Sequence, residues 1–406
     1  MKFYENVEGL TEAHGFFCAA AACNVRGKRD GRLDLGVVYS KRPCTAAGVF
    51  TTNDVKAAPV LHGMDLLAKR QDGYHAIVVN SGNANACTGK KGEADAHLMA
   101  SETARHLNLR PEQVFVCSTG RIGEPLPTSR ITAGIRDAAA DLKDEMDGGP
   151  AFQQAILTSD TTTKSCLATF DTPKGTIRVT GVAKGAGMIE PNMATMLAFL
   201  TTDAEVPAHL LRQALVDANA KTFNRITIDG DMSTNDTVLL LANGFSNVAV
   251  SEETPKWLDS FRVAVEKVCA CLARKIVSDG EKVTKLVELA VEGAPNAEAA
   301  ERVARTIANS LLVKTSWYGS DPNWGRLVDA AGYAGAGLDF DKLELLYDDV
   351  PVLQNGAPLL RNKDKWKAIV SRKQFLIRLN LNLGPHACRL ITSDLSEAYV
   401  DFNKSE

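Results

Sequence analysis

The chain has 406 residues, 45% of them hydrophobic and 23% charged, with 49 acidic against 46 basic side chains and a formal net charge of −3. These are ordinary values for a soluble globular protein, and the length allows a large core in two or three domains, or two lobes sharing one site. They exclude a nucleic-acid binder built on a basic block, and no apolar run is long enough to span a bilayer.

Predicted elements alternate along the chain. The start, MKFYENVEGLTEAHG, lacks the basic and apolar stretches of a secretory signal. Ala76 to Val79 is a short apolar strand ending in an Asn/Gly/Ser cluster, and Glu93 to Leu107 has helical spacing. Val114 to Cys117 reads as a strand that stops at a Ser-Thr-Gly turn, and Ile131 to Leu142 reads as a helix. Asp144 to Gly149, followed by Pro150, is polar and turn-rich and reads as a surface loop. Thr176 to Val182 alternates like a strand, and Met196 to Leu200 is continuously apolar, as a buried strand would be. Ala208 to Ala218, Trp257 to Lys275 and Ala297 to Leu312 read as helices; Lys285 to Val291 and Phe375 to Leu383 read as strands. The pattern is α/β, with no short repeat and no low-complexity linker.

Familiar catalytic signatures are absent. None of the seven histidines is paired at metal-ligand spacing, and neither a G-x-S-x-G elbow nor a phosphate-binding G-x-x-x-x-G-K-[ST] loop occurs. Asp229-Gly-Asp231-Met-Ser233 has the start of a calcium loop, but Thr234 stands where that loop needs glycine, so a polar turn is the better reading. The nine cysteines are scattered and none forms a C-x-x-C pair, as expected of reduced thiols in a cytoplasm.

What remains is Lys184-Gly-Ala-Gly-Met-Ile-Glu-Pro-Asn-Met-Ala-Thr195, which runs straight into the apolar strand. Gly185 and Gly187 allow unusual dihedrals and Pro191 fixes one. A threonine hydroxyl needs a base to become a nucleophile. No histidine is at hand, but the α-amine of Thr195 would serve if the bond after Ala194 were cut. A free α-amine titrates near ~7.7–8.0, so much of it is unprotonated around neutral pH. On composition alone, the bland reading is a threonine that merely interrupts a core strand.

The segment closely resembles the cleavage-and-nucleophile motif of the ornithine acetyltransferase family, glutamate N-acetyltransferases of arginine biosynthesis. In that family the bond before the Thr of an Ala-Thr-Met-Leu motif is self-cleaved and that Thr carries the acyl group. Four further segments are similar to family motifs and in the family's order. These are Ser40 to Asn53, Asn80-Ser-Gly-Asn-Ala-Asn-Ala-Cys-Thr-Gly89, Thr222 to Asp236, and Gly319-Ser-Asp-Pro-Asn-Trp-Gly-Arg326.

The resemblance implies roles residue by residue. Thr195 would be the nucleophile, with Ala194 on the other side of the cut. Thr119 and Gly120 would form the oxyanion hole. Thr161 and Lys184 match substrate-contacting positions, as do Glu281, on the substrate's amino side, and Asn403. Residues 1–194 would form an alpha chain and 195–406 a beta chain, with two of each in a heterotetramer. The implied fold is a layered α/β sandwich with a second, smaller lobe, like that of the β-peptidyl aminopeptidases.

The implied reaction moves acetyl from N2-acetylornithine to glutamate. It needs no metal or bound cofactor, and some family members also take acetyl from acetyl-CoA. Two other readings share the fold: an amidase or aminopeptidase, in which water intercepts the acyl-threonine, and a binding protein that has lost turnover. Three features depart from the family pattern. Only Lys404-Ser405-Glu406 follows Asn403, Arg121 stands beside the oxyanion pair, and Lys282 and Val283 replace small residues. Looser substrate selectivity is the expected result.

Overall fold

The computed structural model describes residues 1–28, 30–142, 148–190 and 196–404. Ala194 and Thr195 therefore lie outside the described residues, as do residues 144–147 of the expected surface loop. The chain forms two compact units. The first comprises Met1–Asn224 and Asp231–Ile276; the second, smaller one comprises Arg225–Gly230 and Val277–Glu406.

Nine strands belong to the first unit: β1 (Lys2–Glu5), β2 (Phe16–Ala21), β3 (Leu35–Phe50), β4 (Tyr74–Asn83), β5 (Val114–Arg121), β6 (Lys164–Thr172), β7 (Gly175–Lys184), β8 (Leu197–Thr202) and β9 (Thr237–Ala242). Its helices are α1 (Ala58–Lys69), α2 (Gly89–Leu107), α3 (Thr128–Asp141), α4 (Gly149–Ala155), α5 (Ala208–Lys221) and most of α6 (Pro255–Ser278). The strand order is β1-β6-β7-β8-β9-β3-β4-β5, with β2 also on β3. Strand β3 serves two sheets. Leu35–Tyr39 pairs with β2 and β4, and Thr45–Phe50 pairs antiparallel with β9.

Side-chain alternation sorts this unit into layers. Ile77 and Val79 of β4, with Phe115 and Cys117 of β5, face an interior shared with Val182, Leu197, Phe199, Leu239 and Leu241 of the other sheet. Ala76, Val78, Val114 and Val116 face the opposite way, onto Met99 and Ala100 of α2 and Ile131 and Ile135 of α3. On the outer face of the second sheet α6 lies so close to Gly181 that a Cβ there would meet Val268 at 2.7 Å. The layers run helix, sheet, sheet, helix, which is the expected α/β sandwich.

The second unit carries strands β10 (Leu286–Ala294), β11 (Glu344–Tyr347), β12 (Val350–Gln354), β13 (Ala357–Pro358), β14 (Gln374–Asn380) and β15 (His386–Ser393). They form one sheet in the order β13-β12-β11-β14-β10-β15. Its helices are α7 (Ala297–Asn309), α8 (Leu311–Tyr318), α9 (Trp324–Gly332), α10 (Lys363–Val370) and α11 (Glu397–Phe402). The apolar stripe of α7 (Ala300, Val303, Ala304, Ile307) is fully buried with Val287, Leu289 and Leu390 of the sheet. Among the described residues, no helix is long and apolar enough to cross a membrane.

Three expectations are corrected. The strand expected to stop at Cys117 runs on through Ser118, Thr119 and Gly120 to Arg121, because β4 likewise continues to Asn83 and the two polar ends pair in parallel. The single helix expected over Ala297–Leu312 is two, split at Ser310, whose backbone is extended and whose side chain accepts the Val313 N–H. Gly149 and Pro150, expected in a loop, open α4.

Candidate active site

The polar ends of β4 and β5 are held by asparagines whose side chains bond to backbone and to a neighbouring hydroxyl. Asn80 Nδ2 donates to the Asn83 carbonyl at 2.8 Å, and its Oδ1 accepts the Ser118 hydroxyl at 2.6 Å. Asn235 Nδ2 donates to the carbonyls of Ala84 (2.6 Å) and Ser118 (2.8 Å). These bonds fix the backbone on which Thr119 and Gly120 sit. Thr119 is buried; Gly120 has φ +130°, and a Cβ there would lie 2.3 Å from the Gly82 carbonyl carbon. Only glycine fits that approach.

Lys184, the last residue of β7, is buried. Its Nζ donates to Thr158 Oγ1 at 2.6 Å and to Thr119 Oγ1 at 3.3 Å. An ammonium has no lone pair, so the hydroxyl hydrogen of Thr119 points elsewhere, available to another acceptor. Sequence reasoning named both residues, and the structure brings them together.

It also supplies a group that was missed. Asp160 has a fully buried side chain, with Lys164 Nζ 2.8 Å from Oδ1 and Lys184 Nζ 3.8 Å from Oδ2. Its Oδ1 accepts the Gly185 N–H at 2.6 Å and its Oδ2 the Thr158 N–H at 3.1 Å. Burial alone would raise this carboxyl. The two ammonium groups and the Gly185 N–H outweigh burial and hold it well below the usual carboxylate range. A signal existed in the sequence: Asp160 and Lys164 are four residues apart, and Lys164 pairs with Ala183, beside Lys184. Thr161 follows Asp160 and is exposed.

Two other motifs meet at the entrance to β8 and β9. Thr51 Oγ1 donates to the Ser233 carbonyl at 2.7 Å, and Asn53 Nδ2 to the Met232 carbonyl at 3.2 Å. The Thr51 N–H donates to the Asp236 carbonyl at 3.0 Å, and the Glu190 N–H to the Asp231 carbonyl at 2.9 Å. The Val-Phe-Thr-Thr-Asn end of β3 thus braces the turn that precedes β9.

In the second unit, Asn403 Nδ2 donates to Glu281 Oε2 at 3.4 Å and to the Tyr399 carbonyl at 3.0 Å. Lys282, whose φ of +55° is left-handed, places its Nζ 4.9 Å from the centre of the Phe402 ring. The Ser396 hydroxyl donates to the Lys282 carbonyl at 2.7 Å, tying α11 to the Glu281 segment. The Gly319–Arg326 motif shapes the passage between two helices. Gly319 follows α8, and Asn323 caps α9 by accepting the Arg326 N–H.

Comparisons with known proteins agree with the residue pattern. Residues 17–405 match the ArgJ family. The "Arginine biosynthesis bifunctional protein ArgJ" of Thermotoga neapolitana is 45% identical over 394 residues, covering 96% of this chain and 98% of the relative. The protein of the same name from Geobacter sulfurreducens is 44% identical over 93% of this chain and 95% of its own. A solved ArgJ structure from Bacillus halodurans is 36% identical and aligns with 51% of this chain and 98% of its own, at a TM-score of 0.49. Ornithine acetyltransferase from Mycobacterium tuberculosis, solved with ornithine, is also 36% identical, with 47% and 98% covered and a TM-score of 0.43. By its matched length and its identity to these relatives, the chain belongs to the ArgJ family.

Proposed function

We propose that the protein moves acetyl from N2-acetylornithine to glutamate through an acetyl group carried on Thr195, after a cut between Ala194 and Thr195. The observation that supports this most directly is the Lys184–Thr119 contact at the end of β5, where Thr119 directly precedes Gly120. The freed α-amine takes the proton of the Thr195 hydroxyl, and the oxygen attacks the acetyl carbonyl. Thr119 Oγ–H and Gly120 N–H stabilise the oxyanion that develops. Ornithine leaves with the proton, and the amine of glutamate then attacks the acetyl-threonine.

Thr161, Lys184, Glu281 and Asn403 are the proposed substrate-binding residues. The reading calls on no metal or bound cofactor; acetyl-CoA would enter only as a second donor. The test is transfer of labelled acetyl from N2-acetylornithine to glutamate by purified protein, with Thr195→Ala beside it. Release of acetyl to water at the same rate with and without glutamate would favour a hydrolase instead.

A further inference from the structure

Glu281 stands at the corner of a tight turn between α6 and β10 of the second unit. The Val283 N–H donates to the Gly280 carbonyl at 3.1 Å, which puts Glu281 and Lys282 at the two corners. The φ of Lys282, +55°, is a left-handed backbone that costs any residue with a Cβ. Such a turn persists only where its surroundings hold it.

The hold comes from the stretch that leaves β15. Asp394 is the first residue after that strand and is buried. Its Oδ1 accepts the N–H groups of Thr284 at 2.9 Å and Lys285 at 3.0 Å, and its Oδ2 accepts the Thr284 hydroxyl. Its own N–H donates to the Lys285 carbonyl at 3.3 Å, one step beyond the Leu286↔Ser393 pair of the β10–β15 ladder. One carboxylate therefore ends the ladder and grips both residues by which the chain leaves the turn. Hydrogen bonds to an ionised acceptor are the strong ones.

Two residues later Ser396 ties the same turn to α11. Its hydroxyl donates to the Lys282 carbonyl at 2.7 Å and accepts the Tyr399 N–H at 3.2 Å. From the far end of α11, the Phe402 ring receives the Lys282 ammonium and Asn403 reaches Glu281. Turn and helix are thus set against each other at both ends, and Asp394 fastens them to the sheet.

We infer that Asp394 is a positioning residue for substrate recognition: it fixes the turn so that the Glu281 carboxylate meets the ammonium of the substrate. This rests on the reading of Glu281 as the residue on the substrate's amino side. The one free amine of N2-acetylornithine is at the end of its side chain. Asp394 is buried with both oxygens occupied, so it acts through the turn and not by touching that amine.

The test uses two donors with purified full chain: N2-acetylornithine, and N2-acetylnorvaline, which has hydrogen in place of the side-chain amine. Wild type should prefer the first by about tenfold or more in kcat/KM, and Glu281→Gln should lose most of that preference. Asp394→Ala should lower it about tenfold, to the level of Glu281→Gln, with transfer from N2-acetylnorvaline near the wild-type rate. A merely structural role would lower both donors alike and keep the ratio. Thr284→Val covers the case in which the alanine variant does not fold. It changes an exposed residue, keeps both backbone donors and removes only the hydroxyl bond to Oδ2, and it should lower the preference by a smaller factor. A preference that survives in either folded variant but not in Glu281→Gln, or an equal fall for both donors, overturns the role of Asp394 and leaves Glu281 standing. A wild type without the preference, or a Glu281→Gln that keeps it, overturns the reading of Glu281 and the role of Asp394 with it.

Discussion

Lys184 Nζ and Thr119 Oγ1 stand 3.3 Å apart, the end of β7 against the end of β5, and Asp160 Oδ2 lies 3.8 Å from the same ammonium. Removing the hydroxyl would take away the proposed oxyanion donor and leave the cation in place. Thr119→Val should lower kcat for acetyl transfer by ~10²–10³ with little change in KM. A fall in affinity at unchanged kcat would place Thr119 in ground-state binding instead.

Gly120→Ala should be worse than its size suggests. The added Cβ would sit 2.3 Å from the Gly82 carbonyl carbon and 2.6 Å from the Asn83 nitrogen, so β4 and β5 must separate locally. The expected result is a lower melting temperature together with lost transfer, read by calorimetry and a radiolabel assay on one preparation.

Lys184→Met removes one of the two cations on a buried carboxylate. Breaking a buried pair from one side costs ~3–5 kcal/mol, and the lower end applies here because Lys164 stays. Urea unfolding should show that loss, and the acetyl-transfer assay a parallel fall in kcat/KM. Unchanged stability would mean that water or another donor replaces the ammonium.

The acid limb of stability should carry the signature of Asp160. Its folded-state pKa lies below its unfolded value of ~3.9, so the stability it contributes is full above that pH and is lost as pH falls toward the folded value. Asp160→Asn should make stability less steep in pH below about 4, at the cost of lower stability at pH 7. Denaturant midpoints at several pH values decide this.

Deleting Lys404 to Glu406 asks what these three residues do. Asn403 and Glu281 are themselves in contact, and the loss of one hydrogen bond to a charged substrate group is worth roughly 1.5–3 kcal/mol, at least tenfold in binding. Unchanged kinetics for acetylornithine and glutamate would show that the tail contributes nothing. A large rise in KM would show that it already closes over substrate, against the expectation of loose selectivity.

Strands and helices with apolar periodicity were legible in the sequence. The core of β8, the stripe of α7 and the outline of α6 all follow from it. The polar end of β4 was not, because Asn80 to Asn83 looks like a turn until β5 is laid beside it and their side chains are seen serving the backbone. Ser310 hid a helix break for a related reason: a cap is a local hydrogen bond and leaves no gap in the apolar pattern. Asp160 escaped because its importance comes from burial and from a partner on a strand, Lys184 of β7. Thr119 and Lys184 were found through motif likeness; their contact needed the sheet.

Strand β7 lies wholly before the Ala194–Thr195 bond and β8 wholly after it, and the two pair from Val179↔Thr202 to Lys184↔Leu197. Strands β3 and β9 repeat the arrangement. A nicked molecule would therefore hold its two pieces together by two hydrogen-bonded ladders and a common apolar interior. The pieces should co-purify through dilution and high salt, and should part only when the sheet itself melts. Separately produced segments 1–194 and 195–406 would then amount to a natural fragment-complementation pair. Neither carries the whole nine-stranded sheet of the first unit, and activity would appear on mixing at a rate set by their concentrations.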